Sequence, residues 1–309
     1  ASTPQLLSTA PTSGTINNSI VVEHLPPFTT LANSAEDGTD TVAPVAATSG
    51  TAGNEPWDTV TVTGQAVVTY STDQAAHGTK SYKFTSGVTA GQAFIQWNIA
   101  SIGRLDRVYG RFYLYQASNS ADTTYMRLRG NSTQVMRITQ DGSGHLQIRN
   151  SANTVVATFT AAITNSAWVR VEFDVTPSVA AGAVSVKLFN TTDGTTATET
   201  QSVTSQALGI AYVDEVSWGQ VASASNAPTM YLDDLQLNAT GFPGPLGGGP
   251  ADQGVTLTGT ATGSAYGSPT VTTTAEVSLT GTASAAAVGH PAVAPDAVTD
   301  ALESAPTLS

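Results

Sequence analysis

Two short stretches of the chain place carboxylates where they could act together. In WVRVEFDV (168–175), Glu172 and Asp174 stand two residues apart. On a β-strand that spacing puts both on one face and leaves Val169, Val171, Phe173 and Val175 on the other. Two carboxylates flanking a glycosidic bond can cleave it, one as acid and one as nucleophile or base. In MYLDDLQL (230–237), Asp233 and Asp234 are adjacent. Successive strand residues point to opposite faces, so at least one Asp should face the side where Met230 and Leu232, or Leu235 and Leu237, pack. Burying a carboxylate is costly unless something pairs with it. A substrate, a metal ion and the chain's own backbone are the three available partners.

A third constellation is cationic. In GRFYLYQ (110–116), Arg111, Tyr113 and Tyr115 alternate with Phe112 and Leu114. In YMRLRG, Tyr125, Arg127 and Arg129 alternate with Met126 and Leu128. Arg137 lies opposite Met136 and Ile138 in VMRITQ, and Arg149 opposite Leu146 and Ile148 in HLQIRN. If these strands are sheet neighbours, one outer face carries five Arg and three Tyr. Three readings stay open for it. It is a solvated sheet face, a protein contact of the kind Arg and Tyr dominate, or a glycan-binding surface. On the last, rings stack on sugars and guanidinium groups pair with acids.

Other chemistries find little support. The chain has no cysteine, so disulfides and thiolate metal sites are excluded. Its four histidines, His24, His77, His145 and His290, lack ligand spacing, and a zinc or iron site is not expected. Calcium takes oxygen ligands, and Asp233 and Asp234 together with Glu36 or Asp37 could supply them. No other cofactor is expected. Neither a phosphate-binding G-x-x-x-x-G-K-[ST] nor a nucleophile elbow is present.

The elements that must position these residues are strands. Charged residues make up only 11% of the chain, and Val and Thr are abundant while long amphipathic runs are absent. Short alternating segments recur from about residue 59 to 238, separated by turn signals such as DGSG (141–144) and TDG (192–194). That pattern predicts an all-β, two-sheet antiparallel sandwich. Four regions follow: an extended arm (1–33), the sandwich (34–240), a Gly/Pro linker (241–254) opening with GFPGPLGGGP, and a tail (255–309). The tail repeats itself, since VTLTGTATGSAYGSPTV aligns with VSLTGTASAAAVGHPAV at an offset of 22 residues. A fixed period implies two copies of one small unit. It is either a disordered Thr/Ala-rich tail or a tether that orders against neighbouring chains.

The net charge of −12 is unevenly placed. All eleven Lys and Arg lie between Lys80 and Lys187, with five acids among them; the flanks hold the other 18 acids. Acidic arms argue against a nucleic-acid partner. No run of 18 apolar residues exists, so membrane insertion is not expected. The first residues show no basic end followed by an apolar stretch, so no signal peptide is expected in them.

Some of these residues carry a resemblance. NSAEDGTDTVAPVAATSGTAGNEPWDTVT, STDQAAHGTKSYKFTSG and the closing MYLDDLQLN resemble the concanavalin A-like, or laminin G-like, jelly roll of actinobacterial and actinobacteriophage proteins. The likeness covers about residues 34–240. It implies that the last strand meets the first, with Asp233 or Asp234 beside Glu36, in some relatives through calcium. WVRVEFDV is similar to part of the E-x-D-x-x-E strand of laminarinase-type hydrolases. The third acid is replaced by Pro177, so a structural, half-exposed strand is expected rather than catalysis. The repeat is similar to Thr/Ala/Gly-rich repeats in actinobacterial phage virion proteins.

The resemblances together imply a non-enzymatic virion structural protein, such as a minor tail or capsid decoration protein. It would form homo-oligomers, attach to other virion proteins through arm and tail, and meet host-surface glycan through the Arg/Tyr face. A secreted carbohydrate-binding module and, behind it, a glycan-cleaving enzyme are the alternatives.

Overall fold

The computed structural model describes residues 30–246, except 52–53, 102, 121–122 and 226. The arm to residue 29, the linker from 247 and the repeat tail lie outside the described residues. In chain order the strands are β1 (Thr30–Asn33), β2 (Thr59–Val62), β3 (Val67–Ser71), β4 (Ser81–Thr85) and β5 (Gly91–Asn98). Then come β6 (Val108–Gln116), β7 (Thr124–Gly130), β8 (Thr133–Gln140), β9 (His145–Arg149) and β10 (Val155–Ala162). The last are β11 (Val169–Thr176), β12 (Gly182–Phe189), β13 (Glu199–Gln206), β14 (Glu215–Ala224) and β15 (Met230–Asn238).

They form two antiparallel sheets. One has eight strands, in the order β13-β12-β11-β6-β15-β4-β3, with β1 also on β15. The other has seven, β10-β9-β8-β7-β14-β5-β2. The all-β sandwich is as the alternation predicts. β14 and β15 come last in sequence yet lie in the interior of the two sheets. The sheets therefore close only when the end of the domain arrives, a topology of long-range contacts that slows folding.

The alternation also locates the core. Phe112, Leu114, Met126, Leu128, Met136, Ile138, Leu146 and Ile148 are all fully buried between the sheets. Val169, Val171, Phe173 and Val175 join them, as the β11 pattern predicts. Each such side chain contributes about 1.5–3 kcal/mol on burial. Three indoles form the centre: Trp57 stacks on Trp97 at 4.4 Å, and Trp97 meets Trp218 edge-on at 6.3 Å. Phe173 packs on Trp218 at 5.9 Å. Gly110 makes room for it, because a Cβ there would lie 2.2 Å from the Phe173 ring.

Two strands escape the alternation. β13, ETQSVTSQ, is an edge strand with mostly polar side chains on both faces. β1 is only four residues long, and it lies within the segment expected as an arm, where it pairs with β15. Its Asn33 accepts from Tyr82 Oη (2.6 Å), which itself accepts from Trp57 Nε1 (2.8 Å). This buried chain ties the first strand to the core.

Candidate functional site

The adjacent acids of β15 sit where that strand changes partner. On one edge, residues 230–232 pair with β4 and residues 235–238 pair with β1. On the other edge the register to β6 slips by one residue between Asp233 and Gln236. Asp234 is the extra residue, with φ at 46°. A bulge re-aims side chains, and here it keeps Leu232, Leu235 and Leu237 all in the core. Both acids are thereby freed from the core side, yet neither reaches solvent: Asp233 is 0% and Asp234 3% exposed.

The loop before β4 fills the gap between β4 and β1. Its amides have no strand to bond, and Asp233 accepts from Ala76 N (2.8 Å) and His77 N (3.4 Å). Asp233 also accepts from Asp234 N (2.8 Å). Glu36 serves the next turn of the same loop, accepting from Thr79 N, Thr79 Oγ1 and Lys80 N, each at 2.8 Å. Burial pushes its carboxyl up, but these hydrogen bonds prevail and hold it below the ordinary value. Asp234 bonds His77 Nδ1 at 2.6 Å, and His77 Nε2 lies 3.1 Å from Asp193. Asp233 thus sits among backbone amides of the same loop that Glu36 serves, and both adjacent acids are buried. Among the described residues no three acids or histidines form a group that could hold a metal ion, so the geometry gives the calcium reading no support.

Glu172 and Asp174 do share the outer face of the eight-stranded sheet. Glu172 pairs with Arg170 Nε at 2.9 Å, and Asp174 makes two bonds to Arg107, at 3.0 and 2.8 Å. Glu172 is 2% exposed, not half-exposed as expected, because residues 241–246 return across this face. Arg111 Nη1 donates to Gly244 O (2.7 Å), Leu246 N donates to Tyr113 Oη (2.8 Å), and Phe242 packs on Tyr109 and Lys187. The first residues of the expected linker are thus a strap on the domain. Burial pushes Tyr113 up to about 12, so its hydroxyl stays protonated and is a poor acid.

The predicted Arg/Tyr face is divided between the two sheets. β6 belongs to the eight-stranded sheet, so Arg111, Tyr113 and Tyr115 lie away from the other arginines. Tyr125 is not on a face at all. The extra residue at this point of β7 turns it into the core, where its Oη donates to Gln116 (2.6 Å). Arg127, Arg129, Arg137 and Arg149 do come together, on the outer face of the seven-stranded sheet.

Tyr115 has partners that the separate strands did not reveal. Val169 faces Leu114, which sets Trp168 beside Tyr115, and Tyr231 faces Tyr115 directly. Ring centroids are 5.7 Å apart in both pairs. Lys83, ion-paired to Asp73, extends the row over Tyr231. Trp168 and Tyr115 are half-buried, beyond the reach of the described strap contacts. Trp168 stands just before the β11 alternation and Tyr231 alternates with Met230 and Leu232, so both were legible as outward-facing. Their adjacency was not.

No family model matches this chain, and no curated protein does. Solved structures similar to it include an endo-β-1,4-glucuronan lyase from the fungus Trichoderma reesei. That pair has 12% identity and a TM-score of 0.49, covering 65% of this chain and 96% of that one. The cellulose-induced protein Cip1 has 14% identity and a TM-score of 0.45, with coverage of 68% and 97%. Lectin II from Ulex europaeus has 12% identity and a TM-score of 0.38, with coverage of 59% and 98%.

Proposed function

We propose that this chain is a non-enzymatic, concanavalin A-like glycan-binding protein. The observation that carries the reading is the row Trp168–Tyr115–Tyr231 across three adjacent strands, ending in the polar pair Lys83 and Asp73. Aromatic side chains with an apolar face and a polar tip suit a ligand that has both. The rigid sheet fixes their spacing, so little entropy is lost on binding. The absence of catalysis is supported by the commitment of Glu172 and Asp174 to arginines and of Asp233 and Asp234 to the loop and His77.

The test uses soluble neutral glucan oligosaccharides and isolated bacterial cell wall. Tyr115→Ala and Trp168→Ala each weaken binding about tenfold, or about 1.4 kcal/mol, while each variant still unfolds in one cooperative transition above the assay temperature. Equal binding by wild type and both variants would remove the row as a site. Glycan release by the wild type that disappears in Glu172→Gln would replace a binding protein by an enzyme.

A second reading concerns location. The 22-residue repeat and the acidic flanks support a place on a bacteriophage virion, with the flanks attaching the sandwich to neighbouring chains. Mass spectrometry of purified particles checks it. Absence of the chain from them favours a secreted carbohydrate-binding protein instead.

A further inference from the structure

The outer face of the seven-stranded sheet is unusual in its charge. One cross-strand row runs Gln96, Ser217, Arg127, Arg137 and Arg149 over β5, β14, β7, β8 and β9. Arg129 lies beside Arg127 on β7, and Glu215, opposite Arg129, is the carboxylate that reaches both: 3.2 Å to Arg129 and 3.9 Å to Arg127. Like charges directly opposite one another on paired strands destabilise a sheet. Here Arg137 faces Arg127 on one side and Arg149 on the other.

The fold supplies few acceptors for Arg127, Arg129 and Arg137. The Nε atoms of Arg127, Arg129 and Arg137 are buried and have no hydrogen-bond partner. Arg127 is itself 5% exposed; burial, and next the charge of Arg129, bring it down to about 10. Arg149 is held by Thr139 and Gln147. Native folds leave few polar groups unsatisfied, and those left call for an explanation. A ligand that brings negative charge supplies one.

We infer that this arginine row is a binding site for an acidic polysaccharide, separate from the aromatic row on the opposite sheet. Neighbouring strands are about 5 Å apart, so the row presents guanidinium groups in steps of that size. A guanidinium matches a carboxylate by two parallel hydrogen bonds, and Arg137, at the centre of the row and only partly buried, makes no side-chain hydrogen bond among the described residues. The rim suits the rest of a sugar: Gln96 and Gln147, both only partly buried, lie at the two ends of the row on the same face. Nucleic acid is a poorer match. Duplex DNA carries a charge every ~1.7 Å, and a protein of net charge −12 repels so dense a polyanion beyond the four arginines.

The experiment measures binding of the full chain to polygalacturonate, to neutral amylose of similar length and to double-stranded DNA, at two salt concentrations. Polygalacturonate binds best, and more weakly at high salt. Arg137→Gln lowers its affinity at least fivefold, and Arg137→Glu abolishes binding. Arg137 makes no side-chain hydrogen bond or ion pair among the described residues, so neither variant melts below the wild type by more than a degree or two. Tyr115→Ala leaves polygalacturonate binding unchanged, which separates failure here from failure of the aromatic site. No binding of polygalacturonate, binding indifferent to Arg137, or tighter binding of DNA overturns the assignment.

Discussion

Asp233→Ala destabilises the sandwich by about 3–5 kcal/mol. The side chain is fully buried and accepts three backbone N–H groups, from Ala76, His77 and Asp234. Alanine leaves those donors without acceptors at the junction where β15 passes from β4 to β1. The first strand and the loop before β4 both lose their anchor there. Asp233→Asn keeps an acceptor oxygen, so it costs far less. Burial, and then the charge of Asp234, hold the Asp233 carboxyl up at about 8. A folded value above the unfolded one, ~3.9, means its contribution is fully present at acid pH. It is lost as pH rises through about 8. The cost of Asp233→Asn should therefore shrink from pH 5 to pH 8. Urea denaturation of wild type and both variants at these two values measures all three effects. An alanine variant as stable as the wild type would mean that the junction is not held by this side chain.

The second large effect is expected at Arg170. It is 1% exposed, and its guanidinium bonds Glu172 Oε1 at 2.9 Å, Thr192 O at 2.8 Å and Gly194 O at 2.6 Å. Its charge also lies 3.9 Å from the centre of the Phe189 ring. Arg170→Met leaves a buried carboxylate without its closest cation and frees two loop carbonyls, at a cost of about 3–5 kcal/mol. The loop concerned carries Asp193, which accepts from Tyr113 and meets His77.

Glu172 is already pushed up by burial, with Arg170 the foremost of the charges that oppose this. Without Arg170 it rises further. A carboxyl so raised is neutral at acid pH and costly when ionised, so Arg170→Met is more damaging at pH 8 than at pH 5. The double variant Arg170→Met/Glu172→Leu removes both charges and recovers much of the loss, since apolar replacement of a whole buried pair is often tolerated. Thermal melts of the single and double variants decide it. A double variant worse than Arg170→Met alone would show that the pair is not what Arg170 supports.

Much of this architecture could be read from the chain alone. A strand's period of two is a local property, so Phe112, Leu128, Ile138 and Ile148 were identifiable as core, and Arg127, Arg137 and Arg149 as outward-facing. The arginine row also survived folding, because β7, β8 and β9 are consecutive and pair as hairpins. Tertiary structure decided what local period does not encode: which strands become neighbours and where the register slips. β6 pairs with β11 and β15, far away in sequence, so Tyr115 left the arginines and joined Trp168 and Tyr231. One extra residue in β7 took Tyr125 into the core, and one in β15 brought Asp233 and Asp234 off the core side together. A bulge satisfies the packing of both flanking segments at once, and that demand arises only when their partners are in place.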